Sequence, residues 1–416
     1  MTDILRDVIA RSHAGERAAI PSVCSAHPEV IEASLRLARN LGRAVVIEAT
    51  SNQVNQDGGY TGQSPADFVA QVNAFADRAG LDRAQVVLGG DHLGPQAWRS
   101  LPAEEAMAKA QAMIRGYAKA GFSKIHLDCS EGCAGEPAQL SDAVTVPRAA
   151  ALARAAVETV PADRLLFVVG TEVPPPGGAR AGEHGIQPTR PEAARATLDA
   201  HMEAFRDLGT IGALVVQPGV EFGALSIDHL PMDRDPGLSD AVARHEGVVL
   251  EAHSTDYQRP EAFPRLAELG FAFQKVGPAL TFAWREGIYA LDRLAQLAGW
   301  IDRDLSETME SAMLADPSHW QRHLDTAAGD LRLQRHVSYA DRIRYYWPRP
   351  DAQAALSRLR GALSGKRLPD PFLHQGFAPA VLDRAEALRS QLSPVDALLQ
   401  ASVQEALAPY FFEATP

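Results

Sequence analysis

Along this chain, short runs of consecutive apolar residues alternate with stretches in which apolar positions recur every three or four residues. Eight runs are of the first kind, and each ends in polar or ionisable residues. They are IPSVCSAHP (Ile20–Pro28), AVVIEATSNQ (Ala44–Gln53), VVLGGDHLGP (Val86–Pro95), KIHLDCSEGC (Lys124–Cys133), LLFVVGTEVP (Leu165–Pro174), ALVVQPGVEF (Ala213–Phe222), VVLEAHSTDY (Val248–Tyr257) and FQKVGPALTF (Phe273–Phe282). A run without polar alternation is what a parallel strand needs when both faces of its sheet are buried. The stretches between them read as helices. In PADFVAQVNAFADRAG (Pro65–Gly80), Phe68, Val69, Val72, Phe75 and Ala76 form one face, and Gly80 is placed to stop it. AEEAMAKAQAMIRGYAKAGF and PEAARATLDAHMEAFRDLG repeat the pattern, each leading toward a strand after a glycine. Eight strand–helix units in series predict an α/β fold, a closed (β/α)8 TIM barrel, whose chemistry sits where the strands end.

After Ile301 the strand signal stops, and helical patterns such as DAQAALSRLRGALSG and VDALLQASVQEALAPYFFE take over. The expected organisation is a barrel over 1–300 and a helical C-terminal extension over 301–416, packed on or near the barrel mouth. Within the extension, HVSYADRIRYYWPRP (His336–Pro350) gathers tyrosines, a tryptophan and arginines. That composition suits a segment closing over the mouth or joining subunits; the alternative is a capped helix packing its aromatics on the barrel.

Composition narrows the class. With 416 residues, 46% hydrophobic and 22% charged, the chain can bury a large core and lacks the low hydrophobicity of disordered proteins. No stretch is long and apolar enough to span a membrane, and the N-terminal residues carry mixed charges rather than a secretory leader, so a cytoplasmic location is expected. Three cysteines cannot build a disulfide framework. A net charge of -12 disfavours nucleic-acid binding through a broad basic surface while leaving room for a local phosphate pocket.

The candidate chemistry lies in the polar strand ends. In GGDHLGP, Asp91 and His92 follow a buried run, and the glycines around them are expected to let backbone approach a ligand. In EAHSTDY, alternation puts Glu251 and His253 on one face of the strand. His92 and His253, joined by Glu172 of GTEVP, make a two-histidine, one-carboxylate set for zinc, manganese or another divalent ion with a position open to substrate. His126 and Asp128 share a face in the same way. Glu48, Asn52 and Gln53 offer donors and acceptors suited to sugar hydroxyls. So many carboxylates at strand ends would repel one another without cations, protons or a metal. Gln217 and Gly219 follow strand six, and Lys275 and Gly277 follow strand eight. Phosphate sites in such barrels often lie after strands seven and eight, which makes Ser254, Thr255, Lys275 and the Gly277 backbone the phosphate candidates.

Nine segments in order, PSVCSAHP, IEATSNQVNQDGGYTG, GGDHLGP, GFSKIHLD, GTEVPPPGG, VVQPGVEF, EAHSTDYQ, KVGPALTFAWRE and SYADRIRYYWP, resemble the family of D-tagatose-1,6-bisphosphate aldolase non-catalytic subunits. Some members of that family carry a tagatose-6-phosphate kinase label, and some relatives act as D-tagatose-6-phosphate 4-epimerases. A weaker resemblance connects Asp91–His92, Asp128, Ser130, Glu131 and His253 to class II metal-dependent aldolases. Gln217 stands where that pattern has a histidine ligand, and Glu172 is taken as its substitute.

The resemblance implies a metal-dependent ketose-phosphate epimerase in tagatose or galactitol catabolism, interconverting D-tagatose 6-phosphate and D-fructose 6-phosphate at C4 by retro-aldol and aldol steps. Asp91 or Asp128 would be the acid or base, and His92, Glu172 and His253 would bind the metal, zinc before manganese. Glu48, Asn52, Gln53, His126, Gln217, Ser254, Thr255, Lys275 and Gly277 would contact substrate. The alternative is a non-catalytic subunit that stabilises and activates a separate class II aldolase chain. Kinase activity is disfavoured because no GxxxxGK(S/T) loop occurs, and neither nucleotide nor nicotinamide is expected. A homo-oligomer is left open.

Overall fold

The computed structural model describes residues 2–170, 186–325 and 329–413, so the expected ligand Glu172 lies outside the described residues. Eight strands, β1 (Ile20–Cys24), β2 (Val45–Thr50), β3 (Val86–Leu93), β4 (Lys124–Leu127), β5 (Leu166–Val169), β6 (Thr210–Val215), β7 (Val249–Ala252) and β8 (Phe271–Val276), pair in parallel and close into a barrel. A short antiparallel hairpin, Glu221–Phe222 with Ile227–Asp228, follows β6. Each apolar run predicted as a strand is therefore a barrel strand. Their side chains face the outer helices on one side and the barrel interior on the other, which is why polar alternation is absent.

An N-terminal helix, α1 (Asp3–His13), precedes the barrel. The helices between strands are α2 (Pro28–Leu41), α3 (Pro65–Ala79), α4 (Ala103–Ala120), α5 (Asp142–Val157), α6 (Pro191–Ala204), α7 (Ser239–Val242) and α8 (Ala262–Glu268), with α9 (Pro278–Leu297) after β8. The limits of α3 follow from its sequence. Ser64 and Asp67 form a reciprocal capping box at the start, and Gly80, at φ 70°, takes the left-handed turn that ends it. Helix α6 stops sooner than its apolar pattern suggests. Beyond Ala204 the chain turns, with Leu208 N–H bonded to Phe205 C=O, and buries Phe205 and Leu208.

The barrel interior is stratified. At the floor, Leu5, Val8 and Ile9 of α1 pack on Ile20, Val46, Val87, Leu166, Val249 and Phe273, so the N-terminal helix forms a plug. Two residues further along several strands the inward positions become charged: Glu48 after Val46, Glu251 after Val249, Lys275 after Phe273. Nothing in the apolar periodicity distinguishes these layers, because depth along the barrel axis is set by the stagger of neighbouring strands.

The extension is helical as expected, with α10 (Leu305–Ala315), α11 (Leu331–Val337), α12 (Pro350–Leu363), α13 (Asp370–Gly376), α14 (Pro379–Leu388) and α15 (Pro394–Leu407). Helix α15 packs along α9 and α2, and Gln404 Nε2 donates to Ala33 C=O across that seam. Its apolar residues are continuous with the core around the barrel. The segment 338–347 instead lies over the mouth, where Tyr257 OH donates to Tyr339 C=O at 2.6 Å and Thr281 and Arg285 hold Asp341.

Candidate active site

Strand β3 carries the departure that builds the site. Gly90 pairs with Ile125 and Leu93 with Leu127, so β3 has one residue more than β4 over the same interval. The surplus falls at Asp91–His92, and His92 takes φ 44°, a region a non-glycine residue seldom occupies without compensation. A regular strand would send adjacent side chains to opposite faces; here both reach the buried mouth. The glycines of GGDHLGP are required by this packing. A Cβ on Gly89 would sit 2.7 Å from Glu48 Oε1, and one on Gly94 would fall 1.7 Å from Asp128 C=O.

Below the mouth, carboxylates and lysines neutralise one another. Lys124 Nζ lies 2.7 Å from Glu48 and 2.5 Å from Glu251; Lys275 Nζ contacts Glu48, lies 2.9 Å from Asp91 and 3.3 Å from Glu251. The cations that so many strand-end carboxylates require are thus largely supplied by the protein. Burial alone would raise the Glu251 and Asp91 carboxyls. Lys124 and Lys275 outweigh it at Glu251, and His92 and Lys275 do so at Asp91, holding both well below the usual carboxylate range. Burial also opposes the charge on Lys275, yet Asp91, Glu251 and Glu48 hold its pKa well above normal.

Above this layer stand three histidines. The ring centroids of His92 and His126 are 4.8 Å apart, those of His92 and His253 5.0 Å, and those of His126 and His253 5.1 Å. Ligating atoms of all three and of Asp91 lie within 4.8 Å of one another. Hydrogen bonds assign the ring tautomers. His92 Nδ1 is 2.6 Å from Asp128 Oδ2, and His253 Nε2 is 2.8 Å from Glu251 Oε1, so each carboxylate takes a ring N–H. His253 keeps a lone pair on its other nitrogen; against burial, Asp91 and Asp128 raise the His92 pKa, and His92 offers its second nitrogen once that proton leaves. Carboxylate-backed imidazoles of this kind are the usual support of a metal-binding histidine. His126 Nε2 faces Gly170 C=O at 3.1 Å, while Nδ1 accepts from His92 N–H and lies 3.1 Å from Asp91. Burial, then the charge of Lys275, push the His253 pKa down to about 3, so this ring is neutral at physiological pH. The donor set fits a divalent metal with nitrogen preference.

The other candidates fall into separate places. Asp128 also accepts from Ser130 N–H and Oγ, and so orients His92. Glu48, expected at sugar hydroxyls, is fully buried one layer down between the lysines. Asn52 and Gln53 do line cavities at the mouth. Gln217 spends its carbonyl on Gly219 and Val220 N–H.

Among the phosphate candidates, Lys275 is committed to carboxylates. Thr255 Oγ1 donates to Lys275 C=O, and Gly277 N–H donates to Asp256 Oδ1. Ser254 follows His253 at φ 52°. Two members of the site carried no signal in their runs. Lys124 reads as the first residue of a strand, and Cys24, whose Sγ donates to Asp91 Oδ2 at 3.1 Å, reads as a small apolar residue.

The family described as D-tagatose-1,6-bisphosphate aldolase subunit GatZ/KbaZ-like matches residues 5–415. A D-tagatose 6-phosphate 4-epimerase of Agrobacterium fabrum is 47% identical over 421 residues, covering 99% of this chain and 98% of that one. A Salmonella dublin protein described as D-tagatose-1,6-bisphosphate aldolase subunit GatZ is 41% identical, covering 99% of each chain. A crystal structure of a Sinorhizobium meliloti 1021 protein, described as a probable tagatose 6 phosphate kinase, aligns with TM-score 0.83 and 45% identity, covering 94% of this chain and 99% of that one.

Proposed function

Because this chain belongs to the D-tagatose-1,6-bisphosphate aldolase subunit GatZ/KbaZ-like family, we propose that it is itself an enzyme, a divalent-metal-dependent epimerase interconverting D-tagatose 6-phosphate and D-fructose 6-phosphate at C4. The observation that carries the reading is the histidine triangle beside Asp91, with His92 and His253 each backed by a carboxylate. The 47% identity to a D-tagatose 6-phosphate 4-epimerase over almost the whole chain supports the substrate class.

A divalent metal held by His92 and His253, with His126 or Glu172 completing the protein donors, would supply a Lewis acid for the negative charge that develops on the ketose oxygens. Asp91, ionised at neutral pH, takes the proton of the C4 hydroxyl as the C3–C4 bond breaks, and returns it when the bond reforms. Cleavage leaves the enediolate of dihydroxyacetone and glyceraldehyde 3-phosphate; presenting the opposite aldehyde face inverts C4. Asp128 and Glu251 hold His92 and His253 in their tautomers throughout. Asn52 and Gln53, at the mouth, are placed to orient hydroxyls. Burial of Asp91, His92 and His253 keeps bulk water from the carbanionic intermediate.

The test is to load the purified chain with zinc or manganese, supply tagatose 6-phosphate without any partner, and follow fructose 6-phosphate. Steady conversion is expected; a folded, metal-loaded sample that forms none would sink the reading. The Salmonella dublin relative's description supports a second reading, in which the barrel stabilises a separate aldolase chain. That reading predicts an increase in aldolase turnover on mixing, with no conversion by this chain alone.

A further inference from the structure

We propose that Arg342 and Arg344 form a phosphate-monoester subsite over the barrel mouth, so that the C-terminal extension holds the anionic end of the substrate. The proposal rests on the sugar-phosphate reading above and assigns the part of the site that binds phosphate. Among the described residues neither guanidinium makes an ion pair. Arg342 Nε donates to His319 C=O at 2.5 Å and Nη1 to Tyr345 OH at 3.3 Å. Arg344 Nη1 donates to Ala340 C=O at 2.6 Å and Asp341 C=O at 3.0 Å, and Nη2 donates to Tyr345 OH at 3.2 Å. The adjacent Asp341 carboxylate is taken by Thr281 and Arg285.

Arg342 is only 6% exposed, and a buried cation lacking a counter-ion is costly to the fold unless an anion arrives. Two such cations meet here. Their guanidinium carbons lie 4.3 and 4.6 Å from the Tyr345 ring centroid, and their combined field, against burial, lowers the pKa of that hydroxyl. Burial, with the charge of Arg344, brings Arg342 itself down to about 10. Two adjacent guanidinium charges match a phosphate monoester in charge, and Arg342 Nη2 and Arg344 Nε are not committed to the bonds above.

The arginines connect to the histidine site through Cys24. Arg344 lines a cavity of about 250 Å³ with Cys24 and Gln53, and Arg342 lines one of about 680 Å³ with Asn52 and Gln96. Tyr60 borders both cavities, and Cys24 touches Asp91. The strand-eight alternative is already filled: Asp256 Oδ1 accepts from Gly277 N–H at 3.0 Å and Ala279 N–H at 2.8 Å, where an anion on α9 would sit. Asp341, at φ 42° and latched by Thr281 and Arg285, fixes the arginine segment before any ligand binds.

The experiment measures protection of chelator-treated, metal-free protein by inorganic phosphate, as a rise in melting temperature, in wild type and in R342Q/R344Q. Wild type should be protected, and the double variant should bind phosphate roughly 10- to 100-fold more weakly, the loss expected for charge-assisted bonds. With metal restored, KM for tagatose 6-phosphate should rise by a similar factor and exceed any change in kcat. If the double variant melts without phosphate as an unfolded chain, R344Q alone serves, since Arg344 is half-buried. Undiminished phosphate protection in the variant would overturn the subsite even if wild type epimerises. Phosphate binding lost with the arginines, in a chain that never epimerises, would uphold the subsite and sink the epimerase reading. Equal protection of wild type by a hexuronate would overturn the assignment to phosphate.

Discussion

His92 and His253 each commit one ring nitrogen to a carboxylate and keep the other for a ligand, so removing either ring should empty the centre. His92→Ala and His253→Ala are expected to lose bound metal by elemental analysis while still folding; full metal content in both would refute the ligand assignment. Lys275 balances Glu48, Asp91 and Glu251 at once. Lys275→Met should therefore destabilise the fold by roughly 3–5 kcal/mol in urea unfolding, the cost of leaving buried charge uncompensated. A loss below about 1 kcal/mol would show that Lys124 suffices. At this scale the sequence was legible in part. Alternation placed Glu251 with His253 and His126 with Asp128, because it reports which face a side chain occupies. It does not report depth, and so Glu48, one layer below the mouth, read as a sugar contact, and Lys124 did not register as part of the site.

Among the elements, the eight strands were legible because a strand buried on both faces leaves an uninterrupted apolar run. The extra residue in β3 was not, since a bulge depends on register against β4, which the run itself does not encode. The role of α1 as the barrel floor was hidden for a similar reason: its amphipathic face shows that it packs, not on what.

The junction of α9 and α10 carries a pH-sensitive pair. Burial and the neighbouring Asp304 charge push Asp292 up to about 7. An unfolded aspartate titrates near 3.9. Between those values the folded chain holds a proton the unfolded chain has released, so this group's contribution to stability falls as pH rises from about 4 to about 7 and is level outside that window. Asp292→Asn, which removes the charge and can donate to Asp304, should flatten that slope and raise the melting temperature at pH 8 by a few degrees, on the order of 1 kcal/mol for a chain of this size. Parallel melting-temperature profiles for wild type and variant would contradict the pairing.

For the molecule as a whole, barrel and extension share the work. In the proposed reaction the strands would supply metal donors and base, with charge balance from the buried lysines, while α15 closes the outer seam and the segment 338–347 covers the mouth. The sequence showed that this segment was rich in aromatics and arginines. It could not show that Asp341 would be paired with Arg285 and Thr281, leaving Arg342 and Arg344 facing cavities.

The most direct test of the central claim is a comparison of wild type and Asp91→Asn, both zinc-loaded and without any partner chain, with tagatose 6-phosphate followed by carbon NMR. The account predicts that wild type forms fructose 6-phosphate and approaches the same equilibrium mixture from either ketose, while the variant keeps its metal and loses at least about 100-fold in rate, as expected for a missing acid–base group. A metal-loaded wild type that leaves tagatose 6-phosphate unchanged, or a variant as fast as wild type, would contradict it.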